Sequence, residues 1–255
     1  EPLADEPMVP GDFFKWRMLQ VSEFADWNQV ARWADALFPP VDTVPEELQA
    51  LLAKLSALPT ASARVAAATR WVQHEIRNFS VSFGESSHRP HAPDFVLQRR
   101  YGDCKDKTYL LLTLLRRLGV EATPVLVSLQ GPRAPAKVLP SPWPFDHVVI
   151  QARADGRTVY LEPTAPPQTA DLLVIAQPPP WMQGLPASPQ AAALITVADA
   201  VTREPTTLDV EEKMTFAQLG AEGTLEVRRV MNQGPAEMLR LVWPLMTAEQ
   251  RRQLA

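Results

Sequence analysis

A single cysteine stands where an apolar helical pattern begins. Cys104 is the one cysteine among 255 residues and lies in the stretch "RRYGDCKDKTYLLLTLLRRLG". A thiol at a helix N-terminus faces unpaired backbone N–H groups and the positive end of the helix dipole, both of which favour the thiolate. With a neighbouring base, such a thiolate can attack a carbonyl carbon. Cys104 is therefore a candidate nucleophile, and a small buried apolar thiol is the alternative interpretation.

The residues around Cys104 predict where its helix begins and ends. Gly102 interrupts the preceding segment, Asp103 is a suitable N-cap, and Asp106 occupies the capping-box position three residues later. Cys104 is then the first helical residue, and Gly119 is typical of a helix end. The residues that follow Cys104 at intervals of four and three form the predicted inward stripe, namely Thr108, Leu111, Leu115 and Leu118.

His147 is the best placed base among the four histidines. It begins the first strand of a predicted hairpin, "FDHVVIQARADGRTVYLEPT". If Asp155 and Gly156 are the two turn residues, His147 and Glu162 lie diagonally on one face, about 7–8 Å apart at Cα. The spacing therefore predicts that Cys104, His147 and Glu162 converge as nucleophile, base and imidazole-orienting carboxylate.

Other side chains are candidates for binding the substrate or the oxyanion. Backbone N–H groups at the helix start, including that of Cys104, are expected to bind the oxyanion. Gln98 and Trp143 are candidates for a further donor, and His88, in a proline-interrupted loop, is a candidate binding residue. His88 and His91 form only a weak metal pair, because no regular element fixes their geometry. The sequence predicts neither a metal nor another cofactor.

Composition excludes several classes of function. A net charge of −4 without a basic stripe gives no indication of nucleic-acid binding. One cysteine excludes an intramolecular disulfide and a cysteine-rich metal site. No apolar stretch approaches the roughly 20 residues of a membrane helix. The sequence begins at Glu1 without a signal-peptide pattern, so we expect a chain that has lost a leader or, preferably, a fragment.

The order of elements predicts one α+β core between two flanking pieces. We expect residues 1–40 to be the end of an N-terminal β-rich domain plus a linker helix, and 41–189 to be the core. Residues 190–255, which alternate like strands before a helical pattern, are expected to begin a C-terminal β-rich domain that is truncated here. The 26 prolines predict stiff, extended connections between these elements.

The motifs together resemble the transglutaminase-like superfamily. The similar segments are "YGDCKDKTYLLLTLLRRLGVEATPVLV", "FDHVVI" and "YLEPT" within about Ala61 to Thr164, and "SSHRPHAPDFVLQRRYGDCKDK" is similar to a bacterial branch with flanking β-rich domains of unknown function. The resemblance implies a papain-like fold, in which a cysteine at the tip of a central helix packs on an antiparallel sheet. It also implies acyl transfer through a thioester, with Cys104 as nucleophile, His147 as base and Glu162 where the family usually has aspartate.

Three functions follow from these residues and this resemblance. The first is a cysteine hydrolase or acyltransferase acting on peptide or amide bonds of a peptide or protein substrate. Hydrolysis is expected ahead of transamidation, because the aromatic that follows the cysteine in animal crosslinking enzymes is replaced here by Lys105. The second is a catalytically inactive binding or scaffold module of a bacterial envelope protein, and the third is a metal enzyme using His88 and His91. The bacterial branch is often exported, so a periplasmic or otherwise exported protein is expected, and the oligomeric state is not predicted.

Overall fold

The computed structural model describes residues 19–80, 87–129, 134–173, 183–197, 208–218 and 220–254. The helices in these ranges are α1 (Trp27–Asp35), α2 (Glu46–Ser56), α3 (Ala61–Glu75), α4 (Pro93–Arg99), α5 (Cys104–Arg117), α6 (Gln233–Val242) and α7 (Ala248–Leu254). The strands are β1 (Arg77–Asn78), β2 (Tyr101–Gly102), β3 (Glu121–Val127), β4 (His147–Ala154), β5 (Arg157–Leu161), β6 (Gln183–Pro186), β7 (Ile195–Thr196), β8 (Leu208–Phe216) and β9 (Gly223–Met231).

Helix α5 begins at the residue that the sequence predicts. Asp103 is its N-cap, and a capping box joins Asp103 and Asp106, each side chain accepting a hydrogen bond from the other residue's backbone N–H at 3.4 Å. The helix ends before Gly119, whose φ of +71° is readily adopted only by a residue without a Cβ. Local chemistry at both ends therefore fixes Cys104 as the first residue of the helix.

The burial of α5 is wider than the predicted stripe. Thr108, Leu111, Leu115 and Leu118 are buried as expected, but so are nearly all other residues of the helix, including Lys105, Asp106 and Lys107. The reason is that α5 packs on β3 and β4 with one side while α2, α3 and α4 contact its other sides. The helix is therefore central to the core, and its charged first turn is enclosed by protein.

Five antiparallel strands form the sheet on which α5 packs, in the order β5-β4-β3-β6-β7. The hairpin of β4 and β5 has the predicted register, with Ala154 opposite Arg157. Asp155 and Gly156 form the turn with φ angles of +48° and +77°, as a two-residue turn with left-handed central residues requires. The predicted α+β fold, a helix bearing the cysteine on an antiparallel sheet, is confirmed.

Helix α1 lies beside α5 on the same face of the sheet. Val30 and Ala31 are fully buried against Leu185 of β6. Leu126 of β3 belongs both to this cluster and to the main core under α5. A cleft thus opens between α1 and the beginning of α5, above the end of β3.

The chain beyond β7 carries a separate antiparallel hairpin, β8 and β9, whose side chains are largely exposed. Helix α6 connects this part to the core, because Glu237 accepts hydrogen bonds from the Thr169 backbone and hydroxyl at 2.8 and 3.1 Å. The predicted domain limits at residues 40 and 190 stay predictions. Within the described ranges, no helix is long and apolar enough to cross a membrane.

Candidate active site

Cys104 lines a pocket of about 280 Å³ between α1, α5 and the start of β4. The residue is half-buried, so its thiol reaches this pocket while its backbone belongs to the buried helix. His147 lines the same pocket. A group that enters the pocket therefore meets the thiol and the imidazole together.

Glu162 holds the ring of His147. The Nε2 atom of His147 lies 2.5 Å from Oε2 of Glu162, and the two side chains are 8% and 21% exposed. The other carboxylate oxygen, Oε1, accepts hydrogen bonds from the Thr164 backbone N–H at 2.9 Å and the Thr164 hydroxyl at 2.5 Å. The hairpin has the register that predicts His147 and Glu162 on the same face of the sheet. Glu162 lies one residue beyond β5, and its side chain, which is one methylene longer than that of aspartate, contacts His147.

The surroundings of His147 favour its charged form. Burial would lower the pKa of His147, but hydrogen bonds with the Cys104 thiol and Glu162, together with the charge of Glu162, raise that pKa to about 10. Burial would likewise raise the pKa of Glu162, and the hydrogen bond with His147 outweighs this and lowers it. At neutral pH the pair is therefore an imidazolium and a carboxylate.

The two ring nitrogens of His147 have different partners. Nε2 is taken by Glu162, so Nδ1 is the nitrogen left to exchange a proton with Cys104. In a Cys–His pair, the imidazole nitrogen that faces the thiol is the one that acts as general acid and base toward it. The arrangement of Cys104, His147 and Glu162 thus places an oriented imidazole beside a potential nucleophile.

Buried charges surround the start of α5 in a fixed network. Lys105 forms an ion pair with Asp103. Asp106 accepts hydrogen bonds from the backbone N–H of His91 at 2.7 Å and contacts His91 Nδ1 at 3.2 Å. A Cβ at Gly102 would lie 2.6 Å from the Cβ of Asp106, so only glycine fits here. Through these contacts the charged residues near Cys104 hold the start of α5 and the preceding loop in place.

Lys107 is a buried cation behind the site that the sequence did not single out. Its Nζ donates a hydrogen bond to the Ile76 carbonyl at 2.6 Å. Burial lowers its pKa to about 8, and the negative charge of Glu162 partly opposes this. Gln73 is close by, since its Nε2 donates to the Glu162 carbonyl at 3.0 Å. Their contacts with Ile76 and Glu162 join segments that are distant in sequence, so residue spacing gives no signal for them.

The structure brings one of the three additional candidates to the pocket. His88 lines the pocket and packs edge-to-face on Trp33 with ring centroids 5.4 Å apart. Gln98 is exposed on α4 and lines a different hollow beside Glu47. Trp143 is 69% exposed and is not among the residues that line the pocket. Gln98 and Trp143 thus lie outside the pocket that contains Cys104 and His147.

The two histidines of the metal alternative have separate environments. His88 packs on Trp33, whereas His91 contacts Asp106 and stacks on Phe95. Among the residues that the structure describes, no group of three or more His, Cys, Asp or Glu side chains is placed to hold a metal ion.

The fold and the Cys–His–carboxylate arrangement define a papain-like class of protein. The model of the transglutaminase-like superfamily matches residues 49–162, which confirms the predicted resemblance over that part of the chain. The match contains Cys104, His147 and Glu162 and excludes α1. The narrower resemblance to a bacterial branch stays a prediction.

Two solved structures are similar to the chain. One is a "putative protease" from Parabacteroides distasonis, with 13% identity and a TM-score of 0.52, covering 68% of this chain and 31% of that one. The other is a "putative cysteine protease" from Cytophaga hutchinsonii, with 16% identity and a TM-score of 0.38, covering 77% and 55%. This chain thus spans about a third and about half of their lengths. The comparison with curated proteins finds no match.

Proposed function

We propose that this protein is a cysteine hydrolase that cleaves peptide or amide bonds through a thioester on Cys104. The observation that carries the proposal is the bond from His147 Nε2 to Glu162, next to a thiol in the same pocket. A carboxylate that orients an imidazole beside a nucleophile is the arrangement of acyl-transfer catalysts on several folds.

Each residue then has one role in the reaction. The Cys104 sulfur attacks the carbonyl carbon, and the oxyanion is bound by backbone N–H groups at the start of α5, including that of Cys104. His147 gives its Nδ1 proton to the leaving amine, whose C–N bond breaks and leaves a thioester. Water attacks the thioester, His147 takes the water proton, and the acid and the free thiol are released. Glu162 fixes the ring and stabilises its charge throughout.

Hydrolysis is favoured over transamidation by the openness of the site. Cys104 is half-buried in a pocket that opens to solvent, so water reaches a thioester there. Transfer to another amine requires that water be excluded from the acyl-enzyme. A binding or scaffold module is less favoured, because it has no need for the short contact between His147 and Glu162.

Cleavage of quenched fluorescent peptides by purified variants tests the proposal. We expect Cys104→Ala to abolish turnover and His147→Ala to lower kcat/KM by about 1,000-fold, since general acid–base catalysis is worth 10²–10⁴-fold. His74→Ala is the matched control, because His74 is exposed and bonded only to the neighbouring Glu75 in the described contacts. Equal turnover by wild type and Cys104→Ala would refute the proposal.

A further inference from the structure

One wall of the pocket beside Cys104 is formed by residues that precede the segment matched by the superfamily model. Residues 49–162 supply the three proposed catalytic side chains. Trp33 of α1, together with Leu37 and Phe38 in the turn that follows this helix, lines the same pocket. The described site therefore combines reactive groups from the matched domain with an apolar wall that this chain adds to it.

Helix α1 is firmly attached where it forms this wall. Trp27 packs edge-to-face on Phe145, with ring centroids 5.9 Å apart. The side-chain amide of Asn28 donates to the carbonyls of Pro189 and Ala191 at 2.9 and 2.8 Å. Because these contacts join α1 to the loop before β4 and to the chain after β6, Trp33 is held in place before any ligand arrives.

The lining favours apolar over acidic groups. Aromatic and aliphatic side chains from α1 and the turn after it, from β3, and from β4 and the loop before it form most of the lining, namely Trp33, Leu37, Phe38, Leu126, Pro142, Phe145 and Val148. Two cations in the lining already have carboxylate partners, Lys105 with Asp103 and His147 with Glu162. Asp146, a further carboxylate in the lining, would repel an acidic group.

The size of the pocket limits its occupant. Pockets for whole small-molecule ligands commonly measure about 300–1,000 Å³. This one, at about 280 Å³, is just below that range, and the thiol forms part of its surface. One large side chain next to a reacting amide fits such a space, whereas a long or branched ligand would extend into solvent.

We infer that this pocket is a specificity pocket for a large apolar side chain, preferably aromatic, next to the scissile bond of a peptide substrate, and that Trp33 determines the preference. The chemistry of cleavage rests on the proposed function, but the recognition of the side chain does not. Trp33 acts by contact with the substrate and takes no part in proton transfer.

A peptide series that differs only in the residues flanking the scissile bond tests this inference. Wild type should show a kcat/KM for phenylalanine peptides about 10- to 100-fold above that for alanine or glutamate peptides, because apolar contacts of this size discriminate by such factors. Trp33→Ala should lower the kcat/KM for phenylalanine peptides about 10- to 100-fold more than that for alanine peptides, so that the preference is lost. Trp33→Phe should retain most of it. Trp243→Ala is the matched control, since that indole is outside the pocket lining.

Two results would overturn the inference, namely an unchanged preference in Trp33→Ala and an equal loss for all peptides in that variant. Fluorescence anisotropy with Cys104→Ala separates recognition from chemistry. If wild type cleaves no peptide, the proposed function fails, and the anisotropy still decides the inference. Tighter binding of phenylalanine peptides that is lost when Trp33→Ala is added supports the pocket, and equal binding of phenylalanine and glutamate peptides overturns it.

Discussion

Replacing Glu162 by glutamine separates the charge of this side chain from its length. The pKa of His147 is about 10, against an ordinary value of 6.5. The difference of about 3.5 pH units corresponds to roughly 5 kcal/mol of stabilisation of the imidazolium. Cys104 and Glu162 both raise this pKa. If Glu162 supplies about half of the effect, Glu162→Gln lowers the pKa by about 2 pH units, which corresponds to roughly 3 kcal/mol and to about 100-fold in kcat/KM.

NMR titration of the histidine side chains measures this change directly. The sequence has four histidines, so single substitutions assign every signal. Glu75→Gln is the matched control, because Glu75 contacts the exposed ring of His74 at 3.0 Å and is a carboxylate–histidine pair away from the site. A His147 titration in Glu162→Gln that stays within about 0.5 pH units of wild type would refute the role assigned to the carboxylate charge.

Two further predictions concern the surroundings of the site. Gly102→Ala should lower the free energy of unfolding by about 1–3 kcal/mol, because the new Cβ meets Asp106 at 2.6 Å, and an unchanged urea midpoint would contradict this packing. The free energy of unfolding should fall as the pH rises from about 6.5 to 10, because the folded-state pKa of His147 exceeds its unfolded value. The pKa of Lys107 is lowered from 10.5 to about 8, so above pH 8 this residue makes the free energy of unfolding rise with pH and partly offsets the effect of His147. Lys107→Met should therefore steepen the fall above pH 8, and an unaltered slope would refute this.

Local sequence chemistry predicted the parts of the site that depend on short-range geometry. The capping box of Asp103 and Asp106 placed Cys104 at the helix start, and the Asp155-Gly156 turn fixed the register that brings His147 to Glu162. Both are determined within a few residues, where spacing specifies structure.

The remaining parts depend on packing between distant segments. Gln98 and Trp143 are candidate hydrogen-bond donors by residue type, but Gln98 lines a different hollow and Trp143 is 69% exposed and outside the pocket lining. Trp33 lies about seventy residues before Cys104, and only the packing of α1 on β6 brings it to the thiol. Periodicity finds an apolar face and does not show which partner covers it.

The rate at which a peptidyl acyloxymethyl ketone labels Cys104, followed by intact-protein mass spectrometry, tests most directly whether this thiol is an activated nucleophile. The account predicts a single adduct on Cys104 in wild type, formed about 100-fold or more slowly in His147→Ala and absent in Cys104→Ala. Labelling of wild type and His147→Ala at the same rate would contradict it.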